Sequence, residues 1–310
     1  MRVAVIGLGS MGMGAAVNLV RKGHEVTGVE PRDAVRAEFA AAGGTAVATP
    51  SDLPGGLEAV VVFVVNAAQT TDVLFGAAGC AALLPKGSVV LCCTTVAPEY
   101  ARTLATQLTE RGLLLLDAPV SGGATAARGG SMTVMASGPE AAFAKVEPVL
   151  DAVAGKVWRL GDVAGIGSTI KMVNQLLAGV HIATAAEAMA LGIRAGADPQ
   201  TLFEVISASA GSSWMWQNRV PHILAGDDTP LSAVDIFVKD LGIVLDQARA
   251  LKFPLPLAAA AHQLFLAASA AGYGGRDDAF VIRVWQALTG IALPQPAAQP
   301  ADVSLPVRSG

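Results

Sequence analysis

Three groups of residues in this chain have types and spacing that suit chemistry. The first are glycines. In "GLGSMGMGAAVNL" (7–19), Gly7, Gly9 and Gly12 stand at G-x-G-x-x-G, after the apolar run Val3–Ile6 and before a helical stretch. A strand, a tight turn and a helix in that order aim free N–H groups and a positive dipole end at a phosphate. Gly7 permits the turn, Gly9 lets backbone approach a pyrophosphate, and Gly12 lets the helix pack close to the strand. Leu8, Ser10 and Met11 complete the loop. The same glycines also suit a purely structural turn. Glu30 lies eighteen residues past Gly12, after a second apolar run. An acid there accepts hydrogen bonds from ribose hydroxyls and repels a 2′-phosphate, which favours NAD over NADP. Arg32, two residues on, suits either stacking on adenine or binding that phosphate.

The second group surrounds a lysine. Lys171 sits among Ile170, Met172 and Val173. A free lysine, with a pKa of about 10.4, is a poor base at neutral pH, but burial disfavours its charged form. A desolvated Lys171 would accept a hydroxyl proton while a dinucleotide accepts the hydride. Asn174 and Gln175, at i+3 and i+4, would share its helix face and reach a substrate oxygen. On these residues alone, a surface lysine of an amphipathic helix is the simpler reading. The third group is Ser121, Gly122 and Gly123 in "VSGG". A hydroxyl beside exposed amides suits a carboxylate, and the same residues suit an ordinary turn.

These residues need a scaffold. Up to about residue 160, short apolar runs alternate with helical stretches: Val3–Ile6, Glu25–Val29, Ala59–Val65, Ser88–Cys92, Leu113–Asp117 and Met132–Ala136. Fully apolar strands alternating with helices predict a parallel sheet covered on both faces. Val65 and Asn66 then end one strand and Thr95 follows another, at the sheet edge where open α/β folds bind ligands. From about Gly165 the pattern turns helical, over Thr169–Ala195, Pro199–Ala208, Ser232–Leu251 and Leu257–Ala271. The expected fold is therefore α/β: a Rossmann-type doubly wound parallel sheet (1–163), then an all-α C-terminal domain (164–293) joined by a long helix. A Pro- and Ala-rich tail (294–310) is expected to be loose.

Composition narrows the partners. The chain has 310 residues, 53% hydrophobic and 15% charged, with a formal net charge of −4, which argues against a nucleic-acid or anionic-membrane surface. The apolar stretches are interrupted by Gly, Pro, Asp or Lys, so no membrane span is expected, and the first strand begins too early for a signal peptide. Cys80, Cys92 and Cys93 form no disulfide framework, and no cluster has metal-ligand spacing, so a metal-free cytoplasmic protein is expected. Ala-rich helices over 176–195 and 257–271 suggest a homodimer or homotetramer. Trp214 and Trp216 either line a cleft or pack in a core.

Four ordered segments resemble the β-hydroxyacid dehydrogenases, the family of 3-hydroxyisobutyrate dehydrogenase, tartronate semialdehyde reductase and 6-phosphogluconate dehydrogenase. They are "GLGSMGMGAAVNL", "DAPVSGG" (117–123), "GIGSTIKMVNQ" (165–175) and "FVKDL" (237–241). The likeness covers about 290 residues, and within the family "NQLLAGVHIATAAEAMAL" looks most like the L-threonate dehydrogenase branch. The resemblance implies NAD(P)-dependent oxidation of a small hydroxy acid. It makes Lys171 the catalytic acid/base and Ser121, Gly122, Gly123, Asn174 and Gln175 the substrate contacts. It sets Lys239 over the cofactor and Thr95 beside the nicotinamide ribose. Two positions depart from the family pattern: Asn174-Gln175 replaces Asn-Asn, and Val65-Asn66-Ala67 replaces a Met-Leu-Pro-like segment. Imine reductases share the fold but lack the lysine, and the phosphogluconate branch has a larger helical domain.

Overall fold

The computed structural model describes residues 1–295. Nearly all of the expected tail, 294–310, lies outside the described residues. The described residues form two compact units: Met1–Leu177 with Lys239–Ala259, and Ala178–Val238 with 260–295.

The first unit is built on six parallel strands, β1 (Arg2–Ile6), β2 (Glu25–Val29), β3 (Thr45–Val47), β4 (Ala59–Val62), β5 (Val89–Cys92) and β6 (Leu114–Asp117), in the order β3-β2-β1-β4-β5-β6. That is the doubly wound dinucleotide-binding order. Its apolar runs follow from burial on both faces. In β1, Val3 and Val5 join one core cluster while Ala4 and Ile6 join the other. The same alternation splits Ala59 and Val61 from Val60 and Val62, and Val89 and Leu91 from Val90 and Cys92. The crossover helices include α1 (Gly12–Arg21), α2 (Asp33–Ala41), α3 (Ala67–Phe75) and α4 (Pro98–Thr109).

One expected strand lies elsewhere. Met132–Ala136 (β8) does not join the parallel sheet. It is the middle strand of a second sheet, between β7 (Val120–Ser121) and β9 (Ala154–Arg159), antiparallel to β7 and parallel to β9. Its apolar pattern meets the need for burial in either sheet, so periodicity does not choose its partners. Between these strands run α5 (Gly123–Arg128) and α6 (Glu140–Val153).

The helix α7 (Ile166–Arg194) begins in the first unit. Contrary to the sequence expectation, it is long and apolar enough to cross a membrane by length and composition, because Lys171 and Glu187 are its only charges before Arg194. A core helix meets the same description. The second unit contains α8 (Pro199–Ser207), α9 (Trp214–Ala225), most of α11 (Pro256–Ala268) and α12 (Arg283–Thr289). Val220, Ile223, Phe265 and Phe280 are buried in it, as is an ion pair in which Arg219 holds Asp278 at 2.5 and 3.0 Å. Trp216 is buried there with its Nε1 donating to Ser207 Oγ (3.2 Å), whereas Trp214 is exposed. The helix α10 (Val234–Ala250) brings Lys239 and Asp240 back to the first unit.

Candidate active site

The C-terminal ends of β1, β2, β4, β5 and β6 carry Gly7, Glu30, Asn66, Thr95 and Ser121. At the first of these, Gly7 has φ +92°, and its N–H donates to Val29 carbonyl (2.9 Å). A Cβ on Gly12 would fall 1.9 Å from Gly7 carbonyl oxygen, so α1 reaches the strand only through glycine. Gly9 is different: a Cβ there would meet no protein atom within 4 Å. Packing does not demand that glycine, whereas a phosphate lying against the loop would. Met11, at the α1 N-cap, supplies no side-chain cap, which leaves first-turn N–H groups for an anion. The loop therefore fits a dinucleotide pyrophosphate.

Glu30 is buried, and Arg32 holds it with three donors: Nε to Oε1 (2.6 Å), Nη2 to Oε2 (3.1 Å) and the backbone N–H (3.2 Å). This hydrogen bonding keeps the carboxyl below its ordinary range despite burial. Asn66 accepts the Gln69 N–H (2.9 Å) and so caps α3, while Gln69 Oε1 accepts the Val65 N–H (2.8 Å). Thr94 ties the neighbouring loop to Val64 carbonyl (3.0 Å). Val65 and Asn66 thus belong to a braced loop, with Val65 itself half exposed.

The start of α7 is fixed by a group that the sequence reading did not single out. Asp117, fully buried at the end of β6, accepts from Gly165 N (2.8 Å), Ser168 N (2.9 Å) and Ser168 Oγ (2.7 Å). Ser137 Oγ accepts from Gly167 N (3.0 Å). Together they satisfy first-turn donors that a buried helix end would leave orphaned. Gly167 is required because a Cβ would fall 2.4 Å from Met135 carbonyl oxygen. One turn on is Lys171, 6% exposed, and burial pulls its pKa down to about 8. The Asp240 carboxylate opposes that shift and Lys239 reinforces it.

Asp240 is the second residue the sequence reading missed. It is buried, accepts Gln175 Nε2 at 2.5 Å, and faces Lys239 Nζ at 2.6 Å. Lys239 Nζ also donates to Thr95 carbonyl (3.4 Å), and Asn174 Nδ2 donates to Gln175 Oε1 (2.9 Å). Gln175 and Lys239 therefore contact this carboxylate directly, Asn174 and Thr95 are tied to it through them, and Lys171 feels its charge. Gln175, expected to contact substrate, has both amide atoms committed within this network. Ser121, half-buried at the end of β7, makes no side-chain hydrogen bond among the described residues, and Gly122 and Gly123 follow with φ +125° and +67°. Both φ values lie in the region that favours glycine, and Gly123 is exposed.

A buried lysine whose pKa burial lowers is a group that can take up a hydroxyl proton at moderate pH. Residues 2–161 match the NAD binding domain of 6-phosphogluconate dehydrogenase. Residues 165–285 match the family described as NAD-binding of NADP-dependent 3-hydroxyisobutyrate dehydrogenase. The chain is 58% identical over 292 residues to an L-threonate dehydrogenase of Cupriavidus necator, covering 94% of this chain and 97% of the relative. It is 32% identical over 290 residues to the mitochondrial 3-hydroxyisobutyrate dehydrogenase of Rattus norvegicus, covering 91% and 86%. A crystal structure described as 3-hydroxyisobutyrate dehydrogenase from Salmonella typhimurium superposes with a TM-score of 0.88 at 51% identity, covering 92% of this chain and 99% of that one. These matches along nearly the whole chain make it a member of the 3-hydroxyisobutyrate dehydrogenase family of NAD(P)-dependent oxidoreductases.

Proposed function

We propose that this chain oxidises L-threonate at the C2 hydroxyl with NAD, and that Lys171 is the general acid/base. The observation that carries the chemistry is the buried Lys171 with its pKa near 8. At neutral pH a usable fraction of its amine is unprotonated. Its Nζ takes the hydroxyl proton as the C–H bond breaks and a carbonyl forms, and returns a proton in the reverse reaction. NAD, when bound, supplies the hydride acceptor. The loop of Gly7, Leu8, Gly9, Ser10, Met11 and Gly12 holds its pyrophosphate, Glu30 its adenosine ribose, and Val65, Asn66, Thr95 and Lys239 its nicotinamide half. Ser121 with the Gly122 and Gly123 amides holds the substrate carboxylate, Asn174 a substrate oxygen, and Gln175 keeps Asn174 and Asp240 in place.

The 58% identity to the Cupriavidus necator L-threonate dehydrogenase supports the choice of acid. The Salmonella typhimurium structure, described as a 3-hydroxyisobutyrate dehydrogenase, supports the alternative. NADH formation at 340 nm separates them. The expected result is kcat/KM for L-threonate at least tenfold above that for 3-hydroxyisobutyrate, a margin of about 1.4 kcal/mol in transition-state binding. Equal or reversed values overturn the choice, as does faster reduction of tartronate semialdehyde. No turnover of any hydroxy acid, with NADH still bound, would favour a non-catalytic dinucleotide sensor.

Ser121 has its own test. Ser121→Ala is expected to raise KM for the acid roughly tenfold, the lower end for a hydrogen bond to a charged group. NADH affinity, followed by fluorescence, should stay as in the wild type. Weaker NADH binding with an unchanged KM for the acid would move Ser121 out of the substrate site.

The matches over 2–161 and 165–285 support an NAD-binding domain at 1–163 and a helical domain at 164–293. Three unpaired, buried cysteines fit a cytoplasmic protein. On α7, Ile166, Ile170, Val173 and Leu177 are exposed at helical spacing, an apolar stripe that suits a homodimer or homotetramer.

A further inference from the structure

Lys171 Nζ is buried and makes no hydrogen bond among the described residues, so its place is set by where α7 lies. On the C-terminal side of the lysine, Gln175 ties the helix to Asp240. On the N-terminal side the tie is a node of three chain segments. The backbones of Asp117 and Ser137 exchange two hydrogen bonds of 2.9 Å, which joins the end of β6 to the end of β8. The Asp117 carboxylate then reaches α7. Oδ2 accepts from Gly165 N and Ser168 N, Oδ1 accepts from Ser168 Oγ, and Ser137 Oγ stands 3.4 Å from Oδ2. A Cβ on Gly167 would fall 2.7 Å from the Asp117 carbonyl oxygen, so helix and strand end touch backbone to backbone.

The same node leads to the carboxylate loop. Ser121 follows Asp117 by four residues, and that stretch is laid along β8: Met135 N donates to Pro119 carbonyl (2.9 Å), Val120 pairs with Val134, and Ser121 pairs with Thr133. Lys171 follows Ser168 by three residues, a rise of about 4.5 Å along the helix. Asp117 therefore bonds the lysine helix from the stretch of chain that carries Ser121. A neutral cap would satisfy one amide at less desolvation cost. The buried carboxylate takes three donors at once and holds the turn from more than one direction.

We propose that Asp117 is a positioning residue for proton transfer: by gripping the first turn of α7 it sets the place of Lys171 relative to the carboxylate loop at Ser121. The inference rests on Lys171 being the base. Asp117 acts through geometry, since burial, Asp240 and Lys239 set the charge balance on Lys171 and Asp117 is not among its causes.

Steady-state kinetics with L-threonate and NAD, over a pH series, test this on single and double variants. Asp117→Ala is expected to lower kcat about 10²-fold, the cost of misplacing a reacting group by about 1 Å. KM for the acid should stay within about threefold, because β8 holds Ser121 without the Asp117 side chain. NADH affinity, read by fluorescence, should match the wild type and reports that the variant is folded. Asp117→Asn is expected to recover most of the lost kcat with the wild-type pH profile. Its carbonyl oxygen can take the two backbone donors, and its amide can donate to Ser168 Oγ. In a Lys171→Ala background, Asp117→Ala should cost less than about threefold more, because a positioning residue has nothing left to position. If Asp117→Ala does not fold, Ser168→Ala deletes a single bond to Asp117 and should lower kcat about tenfold. Wild-type kcat in the folded variant, a full further loss in the Lys171→Ala background, or a displaced pH profile in Asp117→Asn overturns the proposal. Near-wild-type kcat in Lys171→Ala alone would instead overturn the reading of Lys171 as the base, whatever Asp117 does.

Discussion

Lys171→Ala is expected to lower kcat by roughly 10²–10⁴, the usual worth of a positioned proton-transfer group. The fold and NAD binding should survive. The glycine loop is organised by Gly7, Gly12 and the Val29 carbonyl, none of which involves Lys171, and the start of α7 is held by Asp117 and Ser137. Lys171→Arg separates a base from an electrostatic anchor. Arginine keeps a positive charge and holds its proton at every working pH. The arginine variant should therefore resemble the alanine variant in kcat. Near-wild-type kcat in Lys171→Arg, with the wild-type pH profile, would show that a fixed cation suffices and that another group moves the proton.

What was legible in the sequence was local. Val3–Ile6 announces a strand buried on both faces, and the glycines after it announce a turn into a helix, because each statement concerns neighbours in the chain. Lys171 and Lys239 were legible only through motif resemblance, since an isolated lysine on a helix has no local signature of burial. The strands β3, β7 and β9 escaped notice for physical reasons. Two of them are three residues or fewer, and β9 is mostly exposed, so it lacks an apolar run. The helix α9 carries Pro221 inside it, which reads as a breaker. Asp117 and Asp240 were hidden by the general expectation that carboxylates are solvated. A cue existed for Asp240. Phe237, Leu241, Val244 and Ala248 form the buried stripe of α10, and position 240 lies within it, three residues after Phe237 and four before Val244. An acid on an apolar face needs a partner, and here it has Lys239 and Gln175.

That buried carboxylate leads to the second large effect. Asp240→Ala should cost about 3–5 kcal/mol of stability, the range for removing one partner of a buried ion pair. It leaves Lys239 and Gln175 without this acceptor, near the buried Lys171. Asp240→Asn is the sharper probe, because it keeps the shape and deletes the charge. In the wild type Asp240 raises the Lys171 pKa against the larger lowering by burial, and the balance stands at about 8. Without the negative charge the balance falls. Since oxidation uses the neutral amine, its rate rises with pH through the Lys171 pKa, so the rising limb of kcat should move to lower pH in Asp240→Asn. Reduction uses the protonated amine, so its falling limb should move to lower pH as well. Lys239→Met should do the reverse, because Lys239 lowers the Lys171 pKa and its loss also releases Asp240 to face Lys171 alone. Opposite displacements of the two profiles, measured with saturating NAD and hydroxy acid, are what a charge balance on Lys171 requires. Displacement of both in the same direction, or of neither, would mean that Asp240 and Lys239 only hold the helices together and that the base is tuned by burial alone.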